Sequence, residues 1–346
     1  MSIKPSHPII AKVWDTARRQ QRHIVLPEAE NERILQAAKM IVKENLAKVI
    51  LIGSKDRIHK AAKKIHVDID EFIVVEPEEK LDAYSEKFYE LRKGKITSID
   101  EARKILTNNL YLGAMMVKLN DAHGMIAGAS HTTAEVLRPT FQIIKTIPGI
   151  RAASSYFAMI IPDCPYGEEG FLIYADSAVI PNPTAEELAD IAIASCLSIK
   201  EVFGIEKEYC ALVCSSTKGS CEDPIIDKVI RATEIAKEKR PDLLIDGELQ
   251  ADTALVREIG REKSPNSPVA GKANILIFPD LNSGNIAYKL TERLAKAEAY
   301  GPVIQGLERP MIDLSRGCKA TDIVNVAAIV AAQATDKHTD GGKAKF

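Results

Sequence analysis

Short apolar runs alternate with longer stretches whose apolar positions fall three and four apart, a pattern that predicts strands joined by helices. His23-Ile24-Val25-Leu26-Pro27 reads as a short buried strand, and Lys48-Val49-Ile50-Leu51-Ile52-Gly53 as a second one closed by a glycine turn. Between them, Ile34, Ala37, Ala38 and Ile41 fall on one face of a helix over 31–44. Strand, helix and strand within about 30 residues make a parallel crossover unit. A polar helix over 8–21 precedes this unit; helices near 54–65, 80–93 and 99–118 and a strand at 72–76 follow it. Ala122-His123-Gly124-Met125-Ile126-Ala127-Gly128-Ala129 is a small-residue strand running into a loop, and its lack of bulk admits a close neighbour or ligand.

The texture changes near residue 150. Ala153 to Pro162 and Gly170 to Val179 read as an antiparallel hairpin turned at Pro165-Tyr166-Gly167. Thr184-Ala185-Glu186-Glu187 is a capping box opening a helix to Phe203. Strands at 209–215, 242–246 and 273–278 then alternate with helices at 223–238, 252–260 and 282–298, and a last apolar helix covers 321–335. The expected fold class is α/β, with two three-layer domains and mainly parallel sheets. Domain I takes 1–150 plus 309–346, because the C-terminal helix returns to it, and domain II takes 151–308. The polar stretch 336–346 reads as a disordered tail.

Composition narrows the function. The 346 residues are 46% hydrophobic, enough for two full cores without metal or disulfide support. Lys+Arg number 46 against 48 Asp+Glu, a near balance that argues against a nucleic-acid partner, so an anionic ligand must be met by a local cluster of cations. No apolar run is long enough to span a membrane, and no signal-peptide core is visible. The six cysteines include no C-x-x-C pair, which fits a reducing cytoplasm. The Walker loop, G-x-G-x-x-G, G-x-S-x-G and H-E-x-x-H are all missing, which lowers the case for a nucleotide, serine-hydrolase or zinc-protease site.

One local cluster carries chemistry. Asp313-Leu314-Ser315-Arg316-Gly317-Cys318, with Asp322 four residues on, gathers a hydroxyl, a guanidinium and a carboxylate where an apolar helix begins. A guanidinium can grip phosphoryl oxygens through two parallel hydrogen bonds. A carboxylate can take the proton of a thiol whose ordinary pKa is about 8.5. A hydroxyl can donate to an oxygen that gains charge as a carbonyl becomes tetrahedral. On spacing alone the same residues also suit a loop that caps a helix through Thr321 or Asp322.

The run Asp313 to Cys318 with Asp322-Ile323-Val324 resembles the C-terminal signature of the phosphotransacetylase (phosphate acetyltransferase) family. Ordered blocks elsewhere resemble the same family: Leu26-Pro27-Glu28 with Arg33, Gly128-Ala129 with Thr132 through Pro139, and Pro162-Asp163-Cys164. They continue with Ser216 to Ser220, Asp246 to Gln250, Ser267 to Asn274, and Phe278 to Asn285 continuing to Pro302. The resemblance covers residues 8 to 335 and implies reversible transfer of acetyl between CoA and phosphate, in an active-site cleft between the two domains.

The resemblance implies direct attack of the CoA thiolate on acetyl phosphate, with Asp322 as base, Ser315 steadying the oxyanion or thiol, and Arg316 holding the phosphoryl group. Arg92 and Arg138 match positions linked to anionic substrate; Arg138 precedes Pro139, which biases it to extended backbone. Thr132, Lys272, Asn282 and Asn285 are further candidate substrate contacts, each also suited to a turn or cap. No metal and no cofactor are expected, CoA and acetyl-CoA being substrates, and the family pattern implies a homodimer. The alternatives are a butyryl or other short-chain acyl variant, a metal-dependent hydroxyacid dehydrogenase of the isocitrate type, and a non-catalytic regulatory module.

Overall fold

A computed structural model describes residues 4–334; the tail at 336–346 lies outside the described residues. In chain order the first elements are α1 (Pro8–Gln20), β1 (His23–Leu26), α2 (Glu32–Lys43), β2 (Lys48–Ile52), α3 (Lys55–Lys64), β3 (Ile73–Val75) and α4 (Glu78–Leu91). There follow α5 (Ile99–Leu106), α6 (Asn109–Lys118), β4 (Gly124–Ala127), α7 (Thr133–Ile143), β5 (Ser154–Ile160), β6 (Phe171–Ala175) and α8 (Ala185–Phe203). The remainder is β7 (Cys210–Val213), α9 (Pro224–Lys239), β8 (Ile245–Leu249), α10 (Ala251–Leu255), α11 (Arg257–Lys263), β9 (Ile275–Ile277), α12 (Leu281–Leu294), β10 (Glu298–Gln305), β11 (Met311–Asp313) and α13 (Ala320–Gln333). The described residues divide into two compact units, one of Ile10–Lys145 with 307–334, the other of Thr146–Gly306 with Ser6–Ile9.

In the first unit the strands run in the order β3-β2-β1-β4-β11, each neighbouring pair parallel. The chain moves outward from β1 to β2 and β3, then crosses back to place β4 on the other side of β1. The β1–β4 junction is therefore a topological switch point, where loops at the strands' carboxyl ends part and leave room for a ligand. Loops at 27–31, 128–132 and 314–319 leave that edge. Helix α13 is buried from Ile323 to Ala332 and packs on α2, β1 and β4. Its one polar core residue, Asn325, accepts from the buried Trp14 indole at 2.9 Å, which satisfies a pair that would otherwise be costly to bury.

In the second unit β10 and β5 pair antiparallel, as do β5 and β6, while β6-β9-β7-β8 are parallel. The Thr184 capping box is present with both of its hydrogen bonds, and α8 runs to Gly204, which closes it in the left-handed conformation. The helix expected over 99–118 is two: Asn108 breaks it by capping α6, its side chain accepting from the Leu110 amide at 2.9 Å. The helix expected at 252–260 likewise divides into α10 and α11 at Val256. Three elements were not anticipated, namely α7, β10 and β11.

Candidate active site

Ser315, Arg316 and Gly317 form an exposed arc between two buried anchors, Leu314 and Cys318. The arc leaves β11 at the carboxyl edge of the sheet and enters α13 at once. Ser315 Oγ accepts from the Gly317 amide at 3.3 Å, and the Cys318 amide closes the turn on the Ser315 carbonyl at 2.9 Å. Among the described residues nothing pairs with the Arg316 guanidinium, so it is open to an external anion. Asp322 stands in the first turn of α13, where its carboxylate accepts from the Lys319 amide at 2.8 Å. The cap is thus Lys319 rather than Thr321 or Asp322, and Asp322 serves the helix end with one oxygen while remaining half-exposed.

Two residues assigned no role from sequence organise this arc. Glu28, two residues past the end of β1, is buried, and its carboxylate fills the turn after β4. Oε2 accepts from the amides of Gly128 at 2.9 Å and Ala129 at 2.8 Å; Oε1 accepts from those of Ser130 at 2.7 Å and His131 at 3.1 Å. The His131 ring lies 2.7 Å from the same Oε1. Successive amides turned inward make an anion-binding nest, and here the protein supplies the anion itself. Arg33 joins the two loops, with Nη1 donating to the carbonyls of Arg316 and Cys318 and Nη2 to that of Ala129, each at 2.8 Å.

Gly128 shows how close the loops lie. Its φ is +111°, and a Cβ there would meet the Leu314 amide nitrogen at 2.6 Å and Asp313 Oδ1 at 2.7 Å. Asp313 is correspondingly buried. Burial, with the Glu28 charge adding to it against a Thr133 hydrogen bond, pushes its carboxyl up to about 6. Cys318 is buried too, and burial pushes its thiol up to about 11 despite the neighbouring Arg33. A thiol held protonated in this way is a poor nucleophile.

Thr132 caps α7 in a full capping box with Glu135, donating to its carboxylate at 2.8 Å while the Thr132 amide donates to the same oxygen at 2.7 Å. Arg138 departs from expectation, since it is helical and exposed within α7 rather than extended. Pro139 sits inside that helix, buried, and a helix so firmly capped at its start tolerates one lost backbone hydrogen bond. Arg92 ends α4, and its Nε is buried without a hydrogen-bond partner among the described residues. Arg92 and Arg138 share a neighbourhood: burial raises the Tyr111 phenol, and the charges of both arginines pull it back down. Both predicted cations are therefore within electrostatic reach of one phenol that the sequence had not marked.

In the second unit, Asn282 and Asn285 lie in the first turns of α12, beyond the carboxyl end of β9. Asn285 donates to the Ser177 carbonyl at 3.1 Å, and Asn282 is exposed. Gly284 between them is required, because a Cβ would collide with the Asp176 carbonyl. Lys272 precedes β9 and so lies at its opposite end, with its ammonium 5.7 Å from the centre of the Tyr209 ring. It does not join the two asparagines. Among the described residues no set of three or more His, Cys, Asp or Glu could hold a metal ion, and no helix is long and apolar enough to cross a membrane.

The profile of the phosphate acetyl/butaryl transferase family matches residues 8–331. The phosphate acetyltransferase of Thermoanaerobacterium thermosaccharolyticum is 49% identical over 326 residues, covering 94% of this chain and 99% of that one. That of Acetivibrio thermocellus is 50% identical over 329 residues, covering 94% and 98%. Among solved structures, a phosphotransacetylase from Streptococcus pyogenes superposes with a TM-score of 0.89 at 40% identity, covering 96% of this chain and 99% of that one. With its α/β architecture and a match spanning nearly its whole length, the chain belongs to the phosphate acetyl/butaryl transferase family.

Proposed function

We propose that this protein is a phosphate acetyltransferase, interconverting acetyl-CoA plus phosphate with CoA plus acetyl phosphate. The observation that carries the reading is the exposed Ser315–Arg316 arc at the carboxyl edge of a parallel sheet, within a chain matched to the family from residue 8 to 331. Acetyl phosphate carries about two negative charges near neutral pH, and the Arg316 guanidinium supplies a planar, unpaired partner for its phosphoryl oxygens. The CoA thiol gives its proton to Asp322, and the thiolate attacks the acetyl carbonyl. A sulfur–carbon bond forms, the bond between the acetyl carbon and the bridging oxygen breaks, and phosphate departs with that oxygen and the electron pair. Ser315 donates to the carbonyl oxygen as it gains charge. A buried Cys318 thiol pushed up to about 11 supports direct transfer without an acetyl-enzyme on that residue.

Arg92 and Arg138, whose charges both act on Tyr111, would meet phosphates of CoA, while Thr132, Asn282 and Asn285 are further substrate contacts on this reading; Lys272, at the other end of β9, is left out of it. Neither metal nor bound cofactor enters the scheme. The protein is proposed to work in the cytoplasm, a reading supported by its free cysteines, and as a homodimer, supported by the exposed stripe Ile286, Leu290 and Leu294 on α12. The test is Arg316→Ala: removing a group that binds charge developing in the transition state costs about 100-fold or more in kcat/KM for acetyl phosphate. Unchanged kinetics would rule out the role given to Arg316.

A further inference from the structure

The exposed arc has little of its own to hold it. Apart from its two chain neighbours, no atom of the described residues lies nearer to a would-be Cβ at Gly317 than Ser315 Oγ at 3.9 Å, so packing does little to restrain the arc's most permissive residue. The Arg33 side chain supplies the restraint. Its Nη1 holds the carbonyls of Arg316 and Cys318, which bracket Gly317, and its Nη2 holds Ala129 in the turn organised by Glu28. The three acceptors lie in two directions from a rigid helix start, which a planar fork can serve and the single nitrogen of a lysine cannot.

We propose that Arg33 is a positioning residue for the acyl transfer, fixing the backbone of the Ser315–Cys318 arc so that the Arg316 guanidinium and Ser315 hydroxyl meet the acyl phosphate in register. The proposal rests on the reading that Arg316 binds the phosphoryl group. Among the described residues the Arg33 side chain reaches only backbone carbonyls and the Cys318 sulfur, the latter at 3.9 Å, and its effect is transmitted through the arc.

The test is a kinetic cycle on the full-length protein with acetyl phosphate and CoA, using R33K, R33A, R316A and R33A/R316A. A displacement of about 1 Å in such a group costs on the order of 100-fold, so R33K is expected to lose about that factor in kcat while the KM for CoA stays within about twofold. The double variant is expected within about fivefold of R316A, because a misplaced arc matters little once its guanidinium is gone. Multiplied losses in the double variant, a near wild-type R33K, or a CoA KM that rises in step with a falling Tm would each overturn the proposal. Should R33A not fold, R33K/R316A completes the same cycle. R316A at wild-type rate would instead sink the reading of Arg316, which separates that failure from a failure of Arg33 alone.

Discussion

Glu28→Gln tests the framework beneath the candidate site. The wild-type carboxylate accepts from four consecutive backbone amides, and the His131 ring adds a fifth contact. An amide of the same shape keeps one accepting oxygen and replaces the other with a donor. Two backbone N–H groups then lose their acceptor whichever way it is turned. A hydrogen bond to a charged group contributes about 1.5–3 kcal/mol, so the two losses sum to about 3–6 kcal/mol. Removing the Glu28 charge relieves the buried Asp313 carboxyl that it opposes, which offsets part of this and leaves about 2–4 kcal/mol. The turn should feel that locally. Amide hydrogen exchange read on peptides covering 124–132 should speed up by about 30- to 1000-fold, at one decade per 1.36 kcal/mol. Exchange within about threefold of wild type would refute the account of the turn, because it would mean that the amides do not depend on the carboxylate.

Asp313 should give the protein a stability that declines with pH. Its carboxyl sits at about 6 instead of 3.8, so between those values the native state holds a proton that the unfolded chain has released. The contribution is fully present below about 3.8 and is lost as pH rises through about 6, at most about 3 kcal/mol. Asp313→Asn should therefore gain Tm relative to wild type as the pH is raised from about 4 to about 7.5, and a constant offset would contradict the assignment. Asp322→Asn should lower kcat about 100-fold or more if Asp322 is the base, and an acidic limb surviving unchanged in the mutant's pH–rate profile would point to another group.

Much of the α/β alternation was legible because buried strands and amphipathic helices write their periods into the chain, as Ile34, Ala37, Ala38 and Ile41 do for α2. What escaped was short or interrupted. β10 carries Gly301-Pro302 and a register shift between Tyr300 and Val303, and β11 has three residues. Helix α7 was hidden by Pro139, although Thr132-Thr133-Ala134-Glu135 has the same capping-box spacing that exposed α8. The cluster of Ser315, Arg316 and Asp322 was readable because its members are neighbours in sequence. Glu28 and Arg33 were visible as residues but not as parts of the site, since Glu28 meets its amides about a hundred positions away and Arg33 meets Arg316 across 283. Tyr111 carried no signal at all, because only the fold brings it within electrostatic reach of Arg92 at the end of α4 and Arg138 on α7.

The central claim is acetyl transfer between CoA and phosphate, and thioester absorbance tests it most directly. The purified protein is mixed with acetyl-CoA and phosphate, with propionyl-CoA and butyryl-CoA in parallel, in the presence of EDTA. The account predicts phosphate-dependent loss of the thioester, fastest with acetyl-CoA and indifferent to the chelator. No phosphate-dependent loss, or a clear preference for butyryl-CoA, would contradict it.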